Sequence, residues 1–137
     1  MKSLSILVAD DEDSIRSFIQ HFLSTEGHTV VGVGNARQAC DAMARQQFDL
    51  IVTDVLMPDG DGMDLITEVK KVQPKARILA MSGGGRYLEG SDYLKVATGL
   101  GAHAAIMKPF TWEKLKDAIN SALGAHPTSD SGKDAVK

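Results

Sequence analysis

Five times along this chain a short, β-rich apolar run is followed by a stretch whose apolar residues recur at helical spacing. The runs are Leu4–Ala9, His28–Val33, Leu50–Val52 (closing at Asp54), Ala76–Met81 and Ala104–Met107. Between them lie stripes such as Ile15, Phe18, Ile19, Phe22 and Leu23, which share one face of a 3.6-residue period. Near-continuous apolar runs suit strands covered on both faces. Strand–helix alternation of this kind predicts right-handed crossovers and a parallel sheet with helices on both sides.

The element boundaries carry their own chemistry. Asp13 is placed to cap the first helix and Gly27 to end it. Asn35, with Gln38 three positions on, opens a second helix that runs to about Gln46 and buries Ala36, Ala39, Cys40 and Met43. A third helix spans about Met63 to Val72 through Leu65, Ile66 and Val69, with Pro74 just beyond it. A fourth, capped by Ser91, presents Leu94, Ala97 and Leu100. Thr111 caps a fifth, whose stripe is Leu115, Ala118, Ile119, Ala122 and Leu123, and Gly124 stops it. Residues 1–124 therefore read as one domain, and residues 125–137 as a polar, disordered tail or linker.

Composition excludes several function classes. A net charge of −3 gives no basic footprint for nucleic acid. The single cysteine, Cys40, rules out an internal disulfide framework and a cysteine-rich zinc site. No stretch approaches the ~20 apolar residues of a membrane helix, and Leu4–Ala9 is too short for a signal-peptide core. A cytoplasmic setting is the expectation. His21, His28, His103 and His126 show no metal spacing and read as surface or structural residues.

The chemistry sits at the strand ends. The first strand runs into Asp10-Asp11-Glu12-Asp13, the third into Asp54, the fourth into Ser82 and the fifth into Lys108. Parallel strands end on one edge of the sheet, where open α/β sheets bind their ligands. Clustered carboxylates repel unless a cation intervenes. Aspartate and carbonyl oxygens suit Mg²⁺. A hydroxyl and an ammonium are donors for phosphoryl oxygens. A carboxylate nucleophile, a cation, a lysine and a hydroxyl are the parts phosphoryl transfer needs.

Across residues 4–124 the chain resembles a response-regulator receiver domain of two-component signalling, the CheY-like family. The resemblance rests on Asp10-Asp11, Asp54 with Met57-Pro58 and Asp61-Gly62, Ser82, and Lys108-Pro109-Phe110, in order and each at its own strand end. It implies a flavodoxin-like, doubly wound, five-stranded parallel sheet of order 2-1-3-4-5 with five helices. It implies that Asp54 is the phosphoacceptor, taking its group from a sensor histidine kinase or phosphotransfer protein. Asp11, Asp54 and the backbone carbonyl of Leu56 would bind Mg²⁺ directly, with Asp10 acting mainly through water. Ser82 would follow the phosphoryl group, and Lys108 would pair with the carboxylate and then the phosphate. The Lys108–Pro109 bond would be cis. Such a domain is not an enzyme in the ordinary sense; it catalyses only its own phosphorylation and dephosphorylation. Output would pass to a protein target through the fourth helix, fifth strand and fifth helix, in a monomer or a phosphorylation-dependent dimer, unless the chain is the receiver end of a longer protein.

Three departures qualify the resemblance. The family's usual aromatic, three positions before the lysine, is Ala105 here; Trp112, Tyr87 or Tyr93 could substitute or could be ordinary partly buried aromatics. Ser82 and Lys108 stand 26 positions apart, with Gly83-Gly84-Gly85 between them. That glycine run lacks the spacing of a nucleotide-binding loop. The positions two after Asp54 and two after Ser82 are Leu56 and Gly84, and neither can orient an attacking water. Asp59-Gly60-Asp61-Gly62 fails the calcium-loop pattern, since Met63 and Asp64 follow it. A phosphatase of the haloacid-dehalogenase type would want an aspartate at Leu56. The alternative that remains is a pseudo-receiver, an interaction module that never takes phosphate.

Overall fold

The computed structural model describes residues 3–55, 62–83 and 90–124, with the side chains of 62–63 and 90–94 outside that description. Ten elements alternate: β1 (Ser5–Ala9), α1 (Asp13–Thr25), β2 (Thr29–Val33), α2 (Ala36–Arg45), β3 (Leu50–Asp54), α3 (Gly62–Val72), β4 (Arg77–Ser82), α4 (Gly90–Leu100), β5 (Ala104–Met107) and α5 (Trp112–Ala122). The strands form one parallel sheet in the order β2-β1-β3-β4-β5. This is the doubly wound, flavodoxin-like architecture expected.

The period-two pleat divides the core. On one face Leu7, Ala9, Ile51, Val55, Ile78 and Ala80 pack under Ala39 and Met43 of α2, Leu65, Ile66 and Val69 of α3, and Ala97 of α4. On the other, Ile6, Val8, Leu50, Val52, Leu79 and Met81 pack under Ile19 and Leu23 of α1 and Leu115, Ile119 and Ala122 of α5. β3 lies at the centre, every residue from Leu50 to Asp54 buried. Fully burying each such aliphatic side chain contributes about 1.5–3 kcal/mol, so the interior strands hold the sheet edge rigid beneath the polar groups it carries.

Several helix details differ from the sequence reading. Asp13 is the first residue of α1, and Glu12 is its N-cap, with no side-chain capping bond. Asn35 and Thr111 cap α2 and α5 as expected, accepting from the backbone N–H of Gln38 and Lys114. Cys40 is exposed rather than buried, and Leu100 is 42% exposed. Both lie on the flanks of their helical stripes, where a small rotation of the helix decides the outcome. Gly27, at φ +93°, ends α1 in the left-handed conformation that glycine adopts without steric cost. Ser91, Tyr93 and Leu94 belong to the undescribed side chains, and residues 125–137 also lie outside the described residues.

Candidate functional site

Strand register brings the polar strand ends together. Asp54 pairs in register with Met81, and Ser82 with Met107. Beyond the ladder the backbone continues: Val55 N–H donates to Met81 O at 3.0 Å, and Lys108 N–H to Ser82 O at 2.9 Å. Asp10 N–H donates to Val33 O at 3.1 Å. Asp10, Asp54 and Ser82 are buried, which for the two carboxylates is rare without a partner. The Lys108–Pro109 peptide is cis.

The partner is Lys108. Its ammonium lies 2.8 Å from Asp10 Oδ2, 3.0 Å from Asp54 Oδ2 and 3.1 Å from Glu12 Oε1. Burial pushes the Lys108 pKa down, but the neighbouring carboxylates of Asp10 and Asp54 more than reverse this. The net shift is upward, so the ammonium stays protonated. Asp10 is anchored further: its Oδ1 accepts from Glu12 N–H at 2.9 Å, and its backbone carbonyl accepts from Arg16 at 2.8 Å. Arg16 also pairs with Asp13. Among the described residues no donor meets Asp10 Oδ2 with hydrogen-bond geometry, so the ion pair with Lys108 alone compensates it.

These residues fit a cation. Oxygens of Asp10, Glu12 and Asp54 all lie within 4.8 Å of one another. Three carboxylates against one ammonium leave two negative charges uncompensated, the charge of one divalent ion. All three are hard oxygen donors, the type Mg²⁺ takes. Asp11, expected as a direct ligand, is exposed and stands outside this group. Glu12 stands in it, and the sequence reading had not singled Glu12 out. The available signal was the run Asp10-Asp11-Glu12-Asp13, four acids at one strand end, any of which could turn toward the sheet edge. The Leu56 carbonyl, Met57-Pro58 and Asp59–Asp61 lie outside the described residues, as do Gly84, Gly85 and Tyr87.

The aromatic question is partly answered by face. Ala105 packs against the core under α2, α3 and α4. Trp112 belongs to the opposite face, stacked on Phe22 with ring centroids 4.9 Å apart, near Phe18 and Phe110. Trp112 therefore does not stand in for a side chain at Ala105. His103 is structural: its Nδ1 accepts from Ile78 N–H at 3.0 Å, and Lys70 approaches Nε2 at 3.4 Å.

Open α/β sheets bind their ligands at the carboxyl ends of the strands, and this doubly wound parallel sheet carries its acidic cluster and lysine there. The sequence profile of the response regulator receiver domain matches residues 6–120, and the chain belongs to that family, the receiver domains of two-component response regulators. It is 37% identical over 126 residues to the DNA-binding transcriptional regulator NtrC of Azospirillum brasilense, covering 92% of this chain and 25% of that protein. It is 27% identical over 123 residues to sporulation initiation phosphotransferase F of Bacillus subtilis, covering 90% of this chain and 96% of that protein. The solution structure of the beryllofluoride-activated NtrC4 receiver domain dimer superposes with a TM-score of 0.77 at 32% identity, covering 88% and 96% of the two chains. The chain thus spans about a quarter of the length of the NtrC protein it matches. No helix among the described residues is long and apolar enough to cross a membrane.

Proposed function

We propose that this domain, residues 1–124, takes a phosphoryl group on Asp54 from a phosphohistidine of a sensor kinase or phosphotransfer protein. The observation that carries the reading is the Lys108 ammonium held at 3.0 Å from Asp54 and 2.8 Å from Asp10 on the ligand-binding edge of the sheet. In the transfer, an Asp54 carboxylate oxygen forms a bond to phosphorus. The phosphorus–nitrogen bond of the phosphohistidine breaks, and its electron pair returns to the imidazole. The donated oxygens gain negative charge beside Lys108, and the Ser82 hydroxyl is the neutral donor from the next strand. Asp10, Asp11, Asp54 and the Leu56 carbonyl are the groups that would hold Mg²⁺, which supplies charge neutralisation at the phosphoryl oxygens. The domain acts on no other substrate; it promotes only gain and loss of its own phosphoryl group.

Phosphorylation would shift a population between two arrangements, since phosphate contacts are available in only one of them. The face of α4, β5 and α5 suits output to a protein: Val96, Leu100 and Met107 are exposed apolar side chains there. Residues 125–137 would be a tail or linker outside the receiver. A cytoplasmic location follows from the kinase donor. The NtrC4 receiver structure is an activated dimer, which supports phosphorylation-dependent dimerisation as the form output could take.

The test is intact mass after incubation with Mg²⁺ and acetyl phosphate. One added phosphoryl group is expected, absent with EDTA and absent in Asp54→Asn. No addition from acetyl phosphate or from a phosphorylated histidine phosphotransfer domain would instead support the pseudo-receiver reading.

A further inference from the structure

Glu12 occupies the N-cap of α1 with extended backbone angles, yet its side chain makes no capping bond. An N-cap side chain ordinarily answers one of the free backbone N–H groups of the first turn. Here Asp10 Oδ1 takes the Glu12 N–H instead. The Glu12 carboxylate reaches across to Lys108, 96 residues away in sequence, and accepts a hydrogen bond from its ammonium at 3.1 Å.

The three carboxylates around that ammonium differ in freedom. Asp10 is fully buried and pinned by the Glu12 amide. Asp54 is buried at the end of the central strand. Glu12 has a side chain 57% exposed, longer by a methylene, at the edge of the site. When a phosphoryl group enters beside Asp54, new anionic oxygens compete for the same ammonium, whose side chain is only 11% exposed and has little room to move. One existing partner must yield, and Glu12 is the one that water can solvate.

We propose that Glu12 is a positioning residue: its exposed carboxylate is the exchangeable counter-ion that holds Lys108 over Asp54 and surrenders it to the incoming phosphoryl oxygens. The role rests on the phosphoacceptor reading of Asp54. It makes Glu12 a brake. In the resting state it stabilises the site, and on anion entry it adds both a contact to break and a like charge to displace. Because the Glu12 carboxylate is exposed, the effect of the pair is small but measurable.

The experiment is beryllofluoride titration of the whole chain at saturating Mg²⁺, followed by NMR, with Mg²⁺ affinity measured separately by calorimetry. Glu12→Gln is expected to bind beryllofluoride about two- to fivefold more tightly than the unaltered protein. Its Mg²⁺ affinity should fall, because one of the three clustered carboxylates loses its charge, so beryllofluoride binding is read at saturating Mg²⁺. The Lys108 ¹⁵N ammonium resonance of the resting protein should shift in the variant, and the two proteins should converge once beryllofluoride is bound. Glu12→Asp, too short to reach, should behave as Glu12→Gln does. Unchanged or weaker beryllofluoride binding in Glu12→Gln overturns the proposal, because a capping or merely structural role would leave the anion affinity alone. Weaker Mg²⁺ affinity combined with weaker beryllofluoride binding at saturating Mg²⁺ overturns it in favour of Glu12 as a metal ligand. If the unaltered protein binds no beryllofluoride, the phosphoacceptor reading itself falls, and this proposal with it.

Discussion

At the scale of single residues, Lys108 and His103 show opposite outcomes of partial burial. Both lose hydration, which disfavours the charged form. Lys108 meets carboxylates that return more than was lost, and its pKa rises. His103 meets the cations Lys70 and Arg77, and its pKa is lowered below 6.5 by burial first and by those charges next. Its neutral Nδ1 also serves as acceptor for Ile78 N–H, an interaction that protonation there would destroy. The folded state therefore binds fewer protons than the unfolded chain at this residue. Stability from His103 is present in full above its unfolded pKa of about 6.5 and is lost as pH falls below it. Chemical denaturation between pH 7.5 and 5.5 should show this acid-side loss. His103→Asn, which keeps an acceptor for Ile78, should flatten that part of the profile; an unchanged slope in the variant would assign the loss to other groups.

At the scale of elements, the strand ends are positioned by ties that sit far from the chemistry. Gln73, just past α3, is buried, and its side chain closes three gaps at once. Its Oε1 accepts from Phe48 N–H at 2.9 Å, and its Nε2 donates to Met43 O at 3.0 Å and Gln46 O at 2.8 Å. Thus the end of α2 and the approach to β3 are stitched to the end of α3. Gln73→Ala would leave a buried donor and two acceptors without protein partners, at a cost of ~1–3 kcal/mol where a group finds no substitute. Urea unfolding of Gln73→Ala should give a lower midpoint with an unchanged m-value; an unaltered midpoint would mean that water replaces the amide. The α1–α5 side is joined differently, through the stacked Phe22 and Trp112 rings and the Lys116–Glu26 ion pair at 3.8 Å. Trp112 is thereby committed to packing, and Ala105 keeps a small side chain where the family has its aromatic.

At the scale of the whole molecule, the lifetime of the phosphorylated state proposed for Asp54 would decide what kind of signal the domain carries. Leu56 and Gly84, two positions after Asp54 and Ser82, offer no polar side chain to hold a water for attack on the acyl phosphate. Self-dephosphorylation should therefore be slow, with a half-life of minutes or longer, measured as decay of the phosphorylated mass after removal of donor. A half-life of seconds would mean that another group orients the water. Opening the same site with Leu56→Asn should shorten the lifetime.

Much of this protein was legible from residue order. Period-two and period-3.6 patterns are local, so the ten elements, their alternation and the caps at Asn35 and Thr111 could be read directly. The meeting of Asp10, Asp54 and Lys108 was also legible, because parallel strands share one carboxyl edge whatever the details of packing. Other features depended on partners distant in sequence. The order of acids in Asp10-Asp11-Glu12-Asp13 does not say which carboxylate turns toward a lysine 96 residues away; the start of α1 leaves Asp11 outside the cluster and turns the exposed Glu12 carboxylate toward Lys108. Cys40 and Leu100 fell outside the core because the rotation of α2 and α4 is set by the sheet beneath them, not by their own stripes. Trp112 was assigned to one face of the sheet and Ala105 to the other by the same packing. Period and strand-end position are properties of a segment, and the sequence determines them alone; rotation about a helix axis and the reach of a charged side chain minimise energy against neighbours that only the folded chain supplies.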